Sequence, residues 1–529
     1  MSNRGGPLWV GIDLGTQSVK VTIVDDDGTV QGAANRPLTG GKGGRERRRR
    51  HEQQPGDWIA ATRAACSEAV AELDRIGPES NGGHAPKDIR GVATCSTSGT
   101  IAVTDADGRF TSPALMYDDA RAAGLEAEVT AAAPRLWQSL GYRVQPSWAL
   151  SKLLWLQRNG RLGIGTRVAH QTDVVSEAMV GHPVATDWSS ALKSGYDLID
   201  QRWPAEAFAA LGIDTDVLPE VVVPGDELGR SCADWERETG IPTGTPVRAG
   251  MTDGCAAQLG AGALGVGDWH SVLGTTLVLK GVSPTLVRDT TGAVYSHRSP
   301  DGSNWLPGGA SSIGAGALSM LLPGADLSAL AEHSAEDWTT AAALPVAYPL
   351  LGRGERFPFV RPDAAGFVIV NGAEREFTAE VDLTPKDRLA AVFAGVACTE
   401  RLCFETLAGA GAPLTGRLTT SGGGSRSQSW VRLRANTLGR PIALPRSAEA
   451  ALGMAILAAW GVDRSDAGQA GGPVADFGSP SLVEVARQMS RVEQVIDPDA
   501  GGIAMMTEYY DSFIGRLREK GWIEDGVLA

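Results

Sequence analysis

The chain has 529 residues. One hydrophobic core stops growing at about 250 to 300 residues, so at least two domains are expected. Hydrophobic residues make up 43% and charged residues 21%, which excludes a largely disordered chain, and a net charge of −14 argues against nonspecific attraction to nucleic acid or an anionic membrane.

Leu8 to Ile12 and Val19 to Val24 read as buried strands joined by a Gly-Thr turn, and the first ends on an acid, Asp13. A carboxylate there loses hydration that a hydrogen bond, a cation or a metal must replace. The run "RERRRR" at 45 to 50, flanked by "GGKGG" and "HEQQPG", reads as a solvated loop tip rather than a docking site. Residues 57 to 76 carry apolar side chains at helical spacing, and "IRGVATCSTSGTIAVTDADGRF" returns to strand, turn and strand. A helix follows around Ala149 to Arg158, and then a turn-rich stretch, "GHPVATDWSSALKSGYDL", which reads as an insertion outside the core.

At residue 249 the text changes: "VRAGMTDGCAAQLGAG" takes a strand into a helix of small residues, and "LGTTLVLKGV" echoes the opening "LGTQSVKVTIV". The echo at the start of each half suggests two related domains, 1 to 248 and 249 to 529. Helices are expected over 388 to 411 and in "SAEAALGMAILAAWG", with a triple glycine at 422 to 424 opening a helix between them. Six scattered cysteines, without C-x-x-C or partner histidines at zinc spacing, read as reduced thiols of a cytosolic protein. "MSNRGGPLWVG" lacks an export signal and no apolar run is long enough to span a bilayer, so a cytoplasmic protein without membrane attachment is expected.

Three glycine-bearing turns, 15 to 18, 274 to 276 and 422 to 427, suit a nucleotide. Glycines permit close backbone approach, and Thr or Ser hydroxyls can grip a polyphosphate. With a triphosphate there, Asp13 could hold Mg²⁺ through water, because that ion uses few carboxylates and keeps several waters. The structural alternative is a strand-end Asp capping its own turn. Asp253, at the start of the small-residue helix, can be a helix cap, or a general base for a substrate hydroxyl; spacing leaves both open.

The set "GIDLGTQSVKVTIVD", "HEQQPGDW", "GMTDGCAAQLGAGA", "LGTTLVLK", "GGASSIGAGAL", "SGGGSRSQSWVRLRANTLGRPI" and "EAALGMAILAAWG" resembles the FGGY carbohydrate kinases over nearly the whole chain. "TSGT", "MYDDAR", "SKLLWL", "HQTDVV", "ALKSGYD", "GAVYSHR" and "GERFP" resemble more closely the D-ribulose kinases of plants and cyanobacteria, often labelled xylulose kinase-like. The resemblance implies an α/β fold of two actin-like (ribonuclease H-like) domains around a central cleft, with the sugar mainly on the N-terminal side and ATP against the C-terminal domain. Position by position, it implies Asp253 as catalytic base, also touching substrate, and Asp13 as the acid near metal and sugar. Thr16, Gln17, Gly274 and Thr275 fall in phosphate loops, Gly423 and Gly424 on the adenine side, and Trp430 on an aromatic flanking adenine. Ser427 stands where the closer subfamily commonly has Asn.

Ser98 in "TSGT" matches a substrate-binding serine, and the absence of the Met-His pair of classical xylulose kinases favours D-ribulose over D-xylulose. Asp118, Asp119 and Arg121 are expected to stabilise or line the sugar pocket, and Lys152 and Trp155 to pack within a helix. The implied cofactors are ATP and Mg²⁺, the implied partners a small sugar and ATP. Many relatives dimerise, so a homodimer is an expectation of the same kind. A nonenzymatic actin-like ATP-binding switch is the remote alternative; such folds lack a base at the position of Asp253.

Overall fold

The computed structural model describes residues 6–38, 50–76, 83–289, 291–335, 338, 340–466 and 480–523. Of the basic run at 45 to 50, only Arg50 lies within the described residues.

The chain opens with β1 (Leu8–Leu14), β2 (Ser18–Asp25), β3 (Val30–Pro37) and α1 (Pro55–Ile76). Next come β4 (Ile89–Ser96), α2 (Ala149–Arg158), α3 (Gln171–Val180), β5 (Glu227–Arg230), β6 (Pro246–Thr252) and α4 (Asp253–Gly260). Then follow β7 (Trp269–Leu273), β8 (Leu277–Gly281), β9 (Val294–Arg298), β10 (Trp305–Ala310) and α5 (Pro385–Gly409). The last elements are β11 (Leu418–Ser421), α6 (Gln428–Leu438), β12 (Ile442–Pro445), α7 (Ala450–Asp466), β13 (Val492–Ile496) and α8 (Ala500–Glu519).

Two compact units result, and neither is a continuous piece of chain. The first comprises Met1–Gly262, His297–Asn304 and Ser447–Arg491, and the second Ala263–Ser296, Trp305–Arg446 and Val492–Ala529. The division expected at 248/249 therefore falls inside β6. The reason is hydrogen bonding: β6 pairs parallel with β4 in the first sheet, so the chain cannot leave that unit until α4 has packed.

The first sheet has the order β3–β2–β1–β4–β6–β5. Its β1–β2 and β2–β3 pairs are antiparallel, β1–β4 and β4–β6 parallel, and β6–β5 antiparallel. In the second unit β10–β8–β7–β11–β12 repeats the order of β3–β2–β1–β4–β6; the outer strand differs, since β5 precedes β6 in the chain while β13 follows β12, and β9 is added beyond β10. The senses repeat as well: antiparallel, antiparallel, parallel, parallel, antiparallel. The "LGTQ" and "LGTT" echo thus marks the same hairpin in two sheets of one topology, the actin-like arrangement.

Residues Leu8, Val10, Ile12 and Leu14 of β1 are wholly buried, as are the alternate Val19 and Ile23 of β2. These side chains share one face, packed with Trp58, Ala65 and Ala69 of α1 and Val174 and Val175 of α3, and α7 covers the opposite face of β1. A Cβ on Gly11 of β1 would lie 1.7 Å from the Ala451 carbonyl oxygen of α7, and one on Gly453 would lie 1.9 Å from the Ala256 oxygen of α4. Only glycine lets these backbones approach so closely. In the second unit the buried Arg434 guanidinium donates to both oxygens of Glu400 at 2.7 Å, and also to Ser271 and Thr420 at 3.0 Å, joining α5, α6, β7 and β11. Replacing Gly11 by Ala is expected to cost about 3 kcal/mol or more, since backbone rather than a flexible side chain must move. Chemical denaturation of the purified variant checks this; a midpoint equal to wild type would show that α7 does not dock on β1 as described.

Candidate active site

Three parallel strands of the first unit end side by side. Asp13 on β1 is in register with Cys95 on β4, and Cys95 with Met251 on β6; Ser96 pairs with Thr252. Asp13, the Thr97–Ser98–Gly99 turn and Asp253 are therefore delivered to the same, carboxyl-terminal edge, where ligands of open α/β sheets bind.

Strand β1 continues through Asp13 to Leu14, so the acid lies within the strand and is half-buried. Its Oδ1 accepts from the Cys95 thiol at 3.6 Å. Desolvation, and then the neighbouring Asp253 charge, raise its pKa from 3.8 to about 6, and Lys20 offsets only part of this. Lys20 itself is shared with Glu449 at 3.6 Å. The region is thus short of positive charge, which suits a cation. No group of three or more His, Cys, Asp or Glu that could hold a metal occurs among the described residues. The donor set fits Mg²⁺, which takes one or two carboxylates and keeps its waters, rather than a metal caged by protein.

Asp253 is exposed at the first turn of α4, and its Oδ1 accepts from the Gly254 N–H at 2.7 Å. Its approach is fixed from behind: the Thr252 N–H donates to Ser189 Oγ at 2.9 Å, and Ser189 Oγ donates to the buried Asp187 at 2.6 Å. Asp187 also caps the short helix Trp188–Ala191. The "TDWSSAL" stretch is therefore core, with Trp188 through Leu192 buried. The expectation of an insertion fails because its turn-forming Asp and Ser residues spend their hydrogen bonds on one another inside the protein. Asp followed by Ser at the second and third positions was the helix-cap signal to read.

The turn after β4 is held from two sides. Gln171 of α3 accepts from the Thr97 hydroxyl at 2.6 Å, and Lys152 of α2 donates to the carbonyls of Gly99, Tyr117 and Ser147 at 3.2, 3.1 and 3.0 Å. Lys152 is fully buried, and burial, with Lys193 adding to it, pulls its pKa down to about 7. It does more than pack a helix: it ties three loops together. Between these anchors the Ser98 hydroxyl and the Gln171 Nε2 are buried without a hydrogen-bond partner. A lysine inside the apolar "SKLLWL" was legible as an anomaly, because a buried ammonium requires acceptors.

Asp119 and Arg121 form a bidentate pair with both contacts at 2.9 Å; Arg121 also reaches Glu52 at 2.6 Å and lies 4.9 Å from the Trp155 ring centre. Asp118 pairs with His51 at 2.6 Å. These contacts brace loops, with the one Arg121 guanidinium shared between Asp119 and Glu52. In the β1–β2 turn, Gln53 Nε2 donates to the Thr16 carbonyl at 2.8 Å, while the Gln17 side chain is exposed.

The remaining candidates cluster in the second unit. The carbonyls of Gly274 and Thr275 accept from Ala315 and Gly316, and the Thr275 side chain is exposed. A Cβ on Gly422, which has φ +92°, would lie 2.5 Å from the Leu273 carbonyl oxygen, and one on Gly424 would lie 2.4 Å from the Leu273 side chain. Gly423 faces open space. The two glycine turns therefore abut. A 3₁₀ turn, Gly423–Arg426, precedes α6, and Ser427 caps that helix by accepting from Trp430 N. Trp430 does not present a face for a base. It is 1% exposed, stacks on Phe393 at 4.1 Å and donates its Nε1 to the Phe393 carbonyl, because its indole fills the core under Gly424.

The profile of the N-terminal domain of the FGGY family of carbohydrate kinases matches residues 8–260, and that of the C-terminal domain matches residues 270–462. The chain belongs to the FGGY family of carbohydrate kinases. Like its family it is an ATP-dependent phosphotransferase. A curated relative, the xylulose kinase of Streptomyces coelicolor, is 28% identical over 90% of this chain and 94% of its own. Among solved structures, a xyloylose kinase from Brucella ovis superposes with TM-score 0.79 at 24% identity, covering 97% of this chain and 99% of the other. A gluconate kinase from Lactobacillus acidophilus also superposes with TM-score 0.79, at 17% identity, covering 97% and 98%. The two solved structures carry different sugar names at equal structural likeness, so the FGGY fold does not by itself choose the sugar. No helix among the described residues is long and apolar enough to cross a membrane.

The raised pKa of Asp13 makes a prediction for protein free of magnesium and nucleotide. The folded state holds the proton more tightly than the unfolded chain, so stability falls as pH rises from about 4 through about 6, by about 3 kcal/mol in all. Asp13→Asn removes that penalty. Its thermal midpoint should exceed wild type at pH 7.5, and the gain should vanish as pH falls towards 4; a gain equal at both pH values would show that ionisation is not its cause.

Proposed function

We propose that this kinase transfers the γ-phosphoryl group of ATP to the terminal primary hydroxyl of a ketopentose, D-ribulose, giving D-ribulose 5-phosphate. The observation that carries the reading is the meeting of Asp13, the unpartnered Ser98 hydroxyl and Asp253 at one end of three adjacent strands. A sugar hydroxyl bonded to Ser98 relieves a buried polar group that otherwise lacks a partner, so binding gains from both sides of the bond. Lys152 and Gln171 fix the turn that presents it.

In this reading Asp253 is the general base. Its carboxylate takes the proton from the primary hydroxyl as that oxygen attacks the γ-phosphorus; the bond from the γ-phosphorus to the bridging oxygen breaks, and ADP leaves. Such transfers owe most of their rate to positioning, which here rests on the Asp187–Ser189–Thr252 chain behind the base. Bound magnesium would neutralise charge on the phosphates, and Asp13 is the residue placed to hold it through water. Thr16 and Gln17 in the first unit, and Gly274, Thr275, Gly423, Gly424 and Ser427 in the second, are assigned to ATP. Because Trp430 is buried, its contribution is to support Gly424 rather than to touch adenine.

D-xylulose is the second reading, favoured by the name of the Streptomyces coelicolor relative. An ADP-release assay over D-ribulose, D-xylulose, L-ribulose, ribitol and glycerol separates them. We expect kcat/KM for D-ribulose to exceed the others by about tenfold or more, the scale set when one hydroxyl loses its partner; higher efficiency on D-xylulose would replace the first reading by the second. Asp253→Ala is expected to abolish phosphorylation while ATP binding by calorimetry persists, and near-normal turnover would remove it as the base. Ser98→Ala should raise KM for the sugar and leave KM for ATP nearly unchanged. Equal effects on both would make Ser98 a structural residue.

A further inference from the structure

At the opposite ends of the same strands the first unit holds a pocket of about 680 Å³. It is lined by residues from the amino-terminal parts of β1, β4 and β6, among them Trp9, Arg90 and Arg248. From Trp9 to Asp13 is four residues of strand, about 13 Å, so this is not the edge that carries the carboxylates.

Its charge is unlike that of the chain. Lys87, Arg90, Arg230 and Arg248 bring four positive charges against two negative ones, Glu227 and Asp463, in a protein of net charge −14. Arg248 is buried and its guanidinium is aimed by Ser465 Oγ at 2.7 Å and Glu227 at 3.2 Å. Arg230 leans on the same Glu227, also at 3.2 Å, so one carboxylate is divided between two guanidinium groups. Lys87 and Arg90 are exposed and form no ion pair among the described residues. Trp9, Ile89 and Val462 add an apolar wall.

We propose that this pocket binds a phosphorylated small organic molecule. The surplus of two positive charges matches a phosphomonoester dianion, arginine forks suit its oxygens, and the apolar wall receives the carbon skeleton. The volume is of the size that small-molecule sites have. The site is separate from phosphoryl transfer and does not depend on which sugar the kinase accepts.

Calorimetric titration of the full chain with inorganic phosphate and with a hexose monophosphate, each with and without saturating ADP, tests it. Hexose monophosphate should bind more tightly than phosphate, and should still bind when ADP is present. The double variant Arg90→Ala/Arg230→Ala should weaken that binding at least tenfold while kcat and both KM values, measured without added anion, stay unchanged. Both side chains are exposed, and circular dichroism confirms that the variant is folded. Absence of binding, loss of binding on adding ADP, or an affinity untouched by the double variant would overturn the site. Equal affinities for the two anions would overturn its assignment to an organic phosphate.

Discussion

A carboxylate half sunk into a sheet, facing a second carboxylate, is the constraint on which the first unit is organised. Burial, and after it the charge of Asp253, push the pKa of Asp13 up to about 6. The fold holds them there because their positions follow from strand register, not from side-chain choice: β1, β4 and β6 run parallel with Cys95 as common neighbour. Stability given up at such a place is the usual mark of a site built to receive charge. Magnesium or a proton would each relieve it.

Support for that edge comes from polar groups placed deep in the protein. Lys152 gathers three backbone carbonyls, Gln171 holds Thr97, and Asp187 with Ser189 steadies the strand end before Asp253. Apart from the Gln171 Nε2 left without a partner, these networks are buried and hydrogen-bonded, so they resist displacement more than exposed bonds would. In the second unit the Arg434–Glu400 pair does the same for the sheet that carries the glycine turns. The two sheets share a five-strand order and its senses, yet one has acids at its strand ends and the other glycines. One topology has been fitted to two kinds of ligand contact.

Much of this was legible in the residues. The hairpins after Leu14 and Leu273, the helix at Ala149–Arg158 and the duplicated architecture follow from period, turn chemistry and the Leu-Gly-Thr echo. Family motifs placed Asp13, Ser98 and Asp253, and the fold brings them together. What stayed hidden depended on contacts distant in sequence. The cut at 248/249 missed that β6 pairs with β4, some 150 residues earlier, because hydrogen-bonded strands leave no mark of their partner in local text. The resemblance puts Trp430 on an aromatic flanking adenine, but whether a ring beside a glycine loop points outward or into the core is set by contacts distant in sequence. "TDWSSALKSG" looked like a loop because polar residues that bond to one another are composed like polar residues that bond to water.

The return of the chain to the first unit at Ser447–Arg491 bears on how the protein comes into being. A nascent chain that has emerged as far as Gly262 has all six strands of the first sheet but not α7, whose backbone fits against Gly11 of β1 and Ala256 of α4. The face of β1 that α7 meets stays uncovered while the ribosome adds most of the second unit, and it is closed only near the end of translation. Completion of the first unit is therefore a late act of synthesis, followed only by Val492–Ala529 of the second, and a product terminated before Ser447 would carry that open face into the cell.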